Sequence, residues 1–150
     1  MRLPEEIRES FRRFGRAGGR KRAARMAAEA RSAVARRAAT ARWILRRFGA
    51  PSFDALGLPG GELVDAGLAD LADDKTSVAS LLVSLAAPRL RREGVPVGRV
   101  HERAEDRLYD LLELSSGELS HARYSAYLRQ MSSFADACHG VRQDRSRRAS

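Results

Sequence analysis

Arginine is the residue type whose number and spacing in this sequence could do chemistry, and it is concentrated near the N terminus. The 150 residues contain 28 Lys and Arg and 19 Asp and Glu, for a formal net charge of +9. Residues 1–48 hold 15 basic and 4 acidic side chains, a net charge of +11, whereas residues 49–88 carry −5 and residues 89–150 carry +3. Because guanidinium groups pair with phosphate and carboxylate oxygens, the basic third predicts binding to a polyanion.

Two stretches carry the basic residues that we predict to contact DNA. In the first, Gly18 and Gly19 lie among basic residues, and glycine allows the backbone to approach a groove wall closely. The second is a helix-forming Ala/Arg stretch over residues 27–48. A flexible arm that leads into a basic helix resembles the arms with which homeodomains reach a minor groove. The candidate contacts are Arg16, Arg20, Lys21, Arg22, Arg25, Arg36, Arg37, Arg42, Arg46 and Arg47.

Other interpretations of the basic region stay open at this point. The chain could be a nucleoid- or RNA-associated protein, or an interaction module that docks on an acidic protein. The charge could also serve only to keep the surface solvated.

Trp43 lies in the basic helix and has two possible roles. On a helical wheel it lies beside Arg36, Arg46 and Arg47 and opposite an apolar stripe. It is either covered by a second element or is a contact anchor for a partner or for nucleic acid. We expect burial against a neighbouring helix, because the chain has only this one tryptophan and few other aromatic residues. The opposite stripe, which we expect to face the core, is Val34, Ala38, Ala41, Leu45 and Phe48.

Arg123 is a second candidate for partner binding. It lies at the edge of an aromatic and aliphatic stripe in the last predicted helix, where a half-buried guanidinium would need an acidic partner or a bound anion. The stripe itself is predicted to belong to the core and consists of Tyr124, Tyr127, Leu128, Met131, Phe134, Ala135 and Cys138.

The sequence contains none of the motifs on which an enzyme assignment could rest. It has no glycine-rich phosphate loop after a strand, no paired histidines on a helix face and no nucleophile elbow. One cysteine and three scattered histidines do not form a zinc-ligand pattern. We therefore expect a protein that is not an enzyme, with no catalytic residue, metal or cofactor.

The localisation expected from the sequence is cytoplasmic. The longest nearly apolar run, residues 78–88, is about half the length that a membrane span needs. The first residues lack the apolar segment of a secretory signal, and the single cysteine excludes an internal disulfide framework. No membrane contact is predicted.

The apolar residues recur at helical spacing, and no segment alternates with the period of a strand. We predict an all-α fold, a compact bundle of five or six helices. The apolar segment Val78–Ala86 is expected at its centre and to end or kink at Pro88. Glycines at 15, 18 and 19 should break any helix there. The predicted organisation is a flexible basic arm over 1–26, a helical domain over 27–139 and a disordered basic tail over 140–150.

Several motifs resemble those of small basic bacterial proteins. The N-terminal motif runs Gly18-Gly19-Arg-x-Arg-Ala-x-x-Met26 and continues as Ala35-Arg-Arg-Ala-Ala-x-Ala-Arg-Trp43. Together with Leu58-Pro-Gly-Gly-Glu and His121-Ala-Arg-Tyr124, it looks like actinobacterial proteins associated with neighbouring nucleotidyltransferase-type toxin genes. The resemblance implies an antitoxin-like protein that binds the toxin through its helical body and its own promoter through the basic region. Ala27 and Ala28 replace the capping Ser or Thr and the Pro of the motif, which should weaken the helix start.

Overall fold

The computed structural model describes residues 5–149, apart from some of the side chains in the first helix. These residues form six α-helices and no strand, so the predicted all-α fold is confirmed. None of the helices in this range is long and apolar enough to cross a membrane. The helices are α1 (Glu5–Arg25), α2 (Ala28–Phe48), α3 (Gly61–Ala72), α4 (Val78–Arg92), α5 (Ala104–Ser116) and α6 (Ser120–Ala149), with a 3-10 turn at Gly117–Leu119.

Helix α4 is the centre of the core, as its nearly continuous apolar surface predicts. Leu81, Leu82 and Val83 are successive residues, and all three are fully buried. Since successive residues of a helix point in directions about 100° apart, α4 must be covered on most of its circumference. Helices α3, α5 and α6 all pack against it.

The ends of α4 are set by local hydrogen bonds and by packing. Ser77 precedes the helix and forms a capping box, in which its hydroxyl accepts from the backbone N–H of Ser80 at 3.0 Å. Of the two alternatives predicted at Pro88, an end or a kink, the end is wrong, since α4 continues to Arg92. Burial of Leu90 beyond the proline anchors this last turn in the core.

Helix α2 uses a different face from the one that its sequence predicts. Val34 and Leu45 of the predicted stripe are 48% and 50% exposed. Phe48, its last member, is buried as predicted, together with Ile44, which lies outside the stripe. The tertiary contacts select this face, because Phe48 packs edge-on against Phe53 with ring centroids 5.1 Å apart. Phe53 in turn contacts Phe134 of α6 at 5.0 Å. An aromatic chain therefore fixes the rotation of α2.

The chain divides into two compact units, one up to Ala35 and one from Arg36 onward. In the first unit, α1 is uninterrupted from Glu5 to Arg25, so the predicted break at the glycines of 15–19 is wrong. Each glycine costs about 1 kcal/mol relative to alanine within a helix, and the surrounding Ala, Arg and Lys residues are good helix formers. The residues predicted as a flexible arm are helical over this range.

The C-terminal residues 140–149 belong to α6, so the predicted disordered tail is also wrong. Contacts with the end of α4 explain the difference. Arg142 donates from Nη1 to the carbonyl oxygen of Arg92 at 2.9 Å, and Val141 packs against the core. These non-local contacts hold a segment that has little apolar pattern of its own.

Candidate nucleic-acid interface

A groove between the C-terminal turns of α2 and α6 brings five arginines together. We call it the arginine groove. It has a volume of about 650 Å³, and none of the described residues that line it is acidic. The arginines are Arg46, Arg47, Arg142, Arg145 and Arg147, and the other lining residues are His139, Gln143, Ser146 and Ala149.

Helix α2 supplies one wall of the arginine groove from its last turn. Arg46 and Arg47 lie where the partial negative charge of the helix end favours cations. Arg47 rests on the backbone at Gly94, where an added Cβ atom would lie 3.3 Å from Arg47 Nε and 3.5 Å from Trp43 Cη2. Gly94 has a positive φ of 82°, which glycine adopts without strain. The guanidinium of Arg47 and the indole of Trp43 are therefore neighbours.

Helix α6 supplies the opposite wall. Arg142 and Arg145 are three residues apart and so lie on the same side of the helix. The guanidinium of Arg145 lies directly over Gly49, which has a φ of 93° and ends α2. A side chain at position 49 would occupy the space that this guanidinium fills.

The positive charge of the arginine groove is only partly balanced within the protein. Glu93 Oε2 forms an ion pair with Arg142 Nη1 at 3.3 Å and lies 3.1 Å from His139 Nδ1. The other four arginines make no hydrogen bond or ion pair with any described residue. Four guanidinium groups without a described partner, around one concave surface, can donate hydrogen bonds to the oxygens of a polyvalent anion.

Two of the predicted DNA contacts form bonds with other residues of the protein. Arg36 donates from Nε to the carbonyl oxygen of Ala72 at 2.9 Å, and its Nη2 also bonds this oxygen. Arg37 Nη2 lies 3.2 Å from a carboxylate oxygen of Asp73. Both arginines therefore bind the C-terminal end of α3, where cations stabilise a helix. They do not line the arginine groove.

The other predicted contacts are spread over α1 and α2. Arg46 and Arg47 line the arginine groove, and Arg42 is exposed one turn before Arg46. Arg16, Arg20 and Lys21 are exposed on α1, in the first unit. The side chains of Arg22 and Arg25 lie outside the described residues.

The structure gives the surroundings of both predicted partner-binding residues, Trp43 and Arg123. Trp43 is 39% exposed, so the expected burial against a neighbouring element is only partial. Its ring lies near that of Phe48, at a centroid distance of 6.3 Å, and one edge of it lies near Gly94. Arg123 is exposed on α6 and has no acidic partner among the described residues. The neighbouring Tyr124 is the side chain that meets an acid, since its hydroxyl donates to Glu105 at 2.8 Å. Partial burial and this carboxylate raise the pKa of Tyr124 to about 12.

The sequence-based prediction missed Arg142, Arg145 and Arg147, because residues 140–150 were expected to be disordered. A signal was present: Phe134, Cys138 and Val141 continue the helical spacing of the core face beyond Gly140. Extending α6 by this pattern would have placed the three arginines on a helix.

Within the part of the chain that the structure describes, no group of three His, Cys, Asp or Glu residues could hold a metal ion. Comparisons with protein-family models, with curated proteins and with solved structures each find no match for this chain.

Proposed function

We propose that the protein binds DNA through the arginine groove, by contacts with backbone phosphates. The observation that carries this proposal is the convergence of five arginines from α2 and α6, of which four have no partner among the described residues. Like charges held together repel one another, and phosphates relieve that repulsion while they accept guanidinium hydrogen bonds. Exposed Arg42 extends the same charge along α2.

The proposed contacts carry affinity and little sequence information. Guanidinium–phosphate contacts position a nucleic acid, whereas sequence is read from the edges of the bases. RNA offers the same phosphates. If RNA binds more tightly than DNA of equal length, RNA and not DNA is the ligand.

The resemblance described above adds two further elements to the proposal. It makes the protein antitoxin-like, with its own promoter as the DNA and a nucleotidyltransferase-type toxin as the protein partner. Co-expression with an adjacent nucleotidyltransferase gene tests this extension, and it predicts a stable complex and relief of growth inhibition. If no such gene is adjacent, DNA binding through the arginine groove still stands as a separate proposal.

The salt dependence of DNA binding is the direct test. If the five arginines of the groove contact five phosphates, log Kobs should fall with log salt at a slope of about −4.5. Between 50 and 200 mM salt the affinity should then fall about 500-fold. Fluorescence anisotropy with a labelled DNA measures this slope, and a flat response would refute the proposal.

Two double variants locate the contacts. R46A/R145A removes two arginines of the groove and should reduce the magnitude of the slope by about 1.8. R123A/R129A is the matched control, because it removes the same charge from exposed positions of α6. Arg129, the nearer of the two to the arginine groove, lies about 24 Å along the helix from Arg145. Equal effects of the two double variants would show that net charge, and not the arginine groove, sets the affinity.

A further inference from the structure

Trp43 is a large aromatic side chain that neighbours Arg47 of the arginine groove and lies outside the cluster of buried core residues. The aromatic chain of the core runs through Phe48, Phe53 and Phe134, all of them buried. Trp43 lies at the outer end of this chain with 39% of its surface exposed. Part of the Trp43 side chain is therefore accessible to a ligand.

The ring of Trp43 has Gly94 and Arg47 as neighbours. The indole lies against the backbone at Gly94, together with the guanidinium of Arg47. Trp43 and Arg47 are also four residues apart on α2, which places them on the same side of the helix. An exposed ring is thus held beside a cation that lines the arginine groove.

Aromatic rings next to arginines are the elements from which proteins build sites for single-stranded nucleic acids. The cations follow the backbone phosphates, and bases stack on the rings because every base has a flat π face. In a duplex the bases are already paired and stacked on one another, so a ring at the protein surface reaches their faces only at the cost of opening the stack.

We propose that the arginine groove takes an unpaired nucleic-acid strand, one base of which stacks on Trp43. This inference rests on the proposed function, because the phosphates of the strand would occupy the arginine groove. It adds a class of ligand to the duplex DNA of a promoter, which would bind through phosphates alone: a flexible strand with accessible bases, either unpaired DNA or unpaired RNA.

The fluorescence of Trp43 reports this contact directly, since it is the only tryptophan of the chain. Three ligands of equal length separate the contributions: an oligothymidine, an abasic phosphodiester strand and a DNA duplex. The oligothymidine should quench and shift the emission, whereas the other two should bind with little change. An oligouridine distinguishes RNA from DNA as the preferred source of the strand.

Substitution of Trp43 tests the energy of the contact. W43A should weaken binding of the oligothymidine about 5- to 150-fold and leave binding of the abasic strand unchanged. W43F should retain most of the affinity, because phenylalanine also stacks with bases. L45A is the matched control, since Leu45 is another exposed apolar residue of α2 and should have no effect.

The outcomes separate this inference from the proposed function. If emission does not respond to the oligothymidine and W43A binds it normally, Trp43 does not stack, although a reduced salt slope in R46A/R145A would still support phosphate binding. If R46A/R145A binds all ligands normally, the proposed function fails as well. Should W43A not fold, the emission of the wild type and the affinity of W43F decide the question.

Discussion

Gly67 provides the sharpest test of how α3 packs against α4. It is buried, and a Cβ atom added to it would lie 2.5 Å from Val83 Cγ2 and 2.5 Å from the carbonyl oxygen of Ala79. The methyl group of Val83 could move, but the carbonyl oxygen belongs to the backbone of α4. Replacing Gly67 with alanine therefore requires the two helices to separate.

G67A has two opposite effects on the free energy of unfolding, a gain in helix propensity and a cost of overpacking. Alanine in place of glycine within a helix stabilises by about 0.5–1 kcal/mol. An added methyl group in a tightly packed core typically costs about 1–3 kcal/mol. Since one of the two clashes is with the backbone, we expect a cost near the upper end of that range. The net prediction is a loss of about 1.5–2.5 kcal/mol in the free energy of unfolding.

G140A is the matched control, because Gly140 is an exposed residue of α6 with no atom within 4 Å of an added Cβ. G140A should raise the free energy of unfolding by about 0.5–1 kcal/mol, because it adds only the higher helix propensity of alanine. Denaturant unfolding followed by far-UV circular dichroism measures both variants against the wild type. If G67A is as stable as G140A, the close approach of α3 to α4 described here is incorrect.

Two further predictions concern the N-terminal cap of α4 and the buried thiol. S77A should lower the free energy of unfolding by about 1–2 kcal/mol, because Ser77 Oγ accepts from Ser80 N and lies 2.6 Å from a carboxylate oxygen of Asp70; S133A, at an exposed position, is its control. Burial, together with the charge of Glu93, raises the pKa of Cys138 to about 12, so iodoacetamide should alkylate it at pH 8 only after unfolding. Because this pKa is raised in the folded state, its contribution to stability is complete below about pH 9 and is lost as the pH rises through 12, a loss that C138A should lack. Alkylation of the native protein at pH 8 would contradict the burial of this thiol.

The spacing of apolar residues predicted a helix correctly where it also indicated which residues are buried. The apolar surface of Val78–Ala86 placed α4 at the centre, and its successive buried leucines agree. The pattern was ambiguous for α2, which carries two apolar stripes, one with Leu45 and one with Ile44. Phe48 lies near both, and its contact with Phe53 selects the stripe with Ile44. A helical wheel contains no information about that contact.

The two ends of the chain show why helix boundaries were harder to predict. Glycines in α1 are a local cost that the neighbouring helix formers can exceed. At the other end, α6 extends to Ala149, and Arg142 bonds the carbonyl oxygen of Arg92 fifty residues away. A glycine is therefore a weak indicator of a helix boundary at either end of the chain.

The density of basic residues along the sequence does not indicate which arginines are left without a partner after folding. The N-terminal third has the highest net charge, yet Arg36 and Arg37 in it are bound to the end of α3. Helix C-termini present unpaired carbonyl oxygens, and arginines that meet them are used for stability. The cations available to a ligand are those that remain without such a partner after folding. Among the arginines that line the groove these are Arg46, Arg47, Arg145 and Arg147, and only the first two lie in the region that composition favoured.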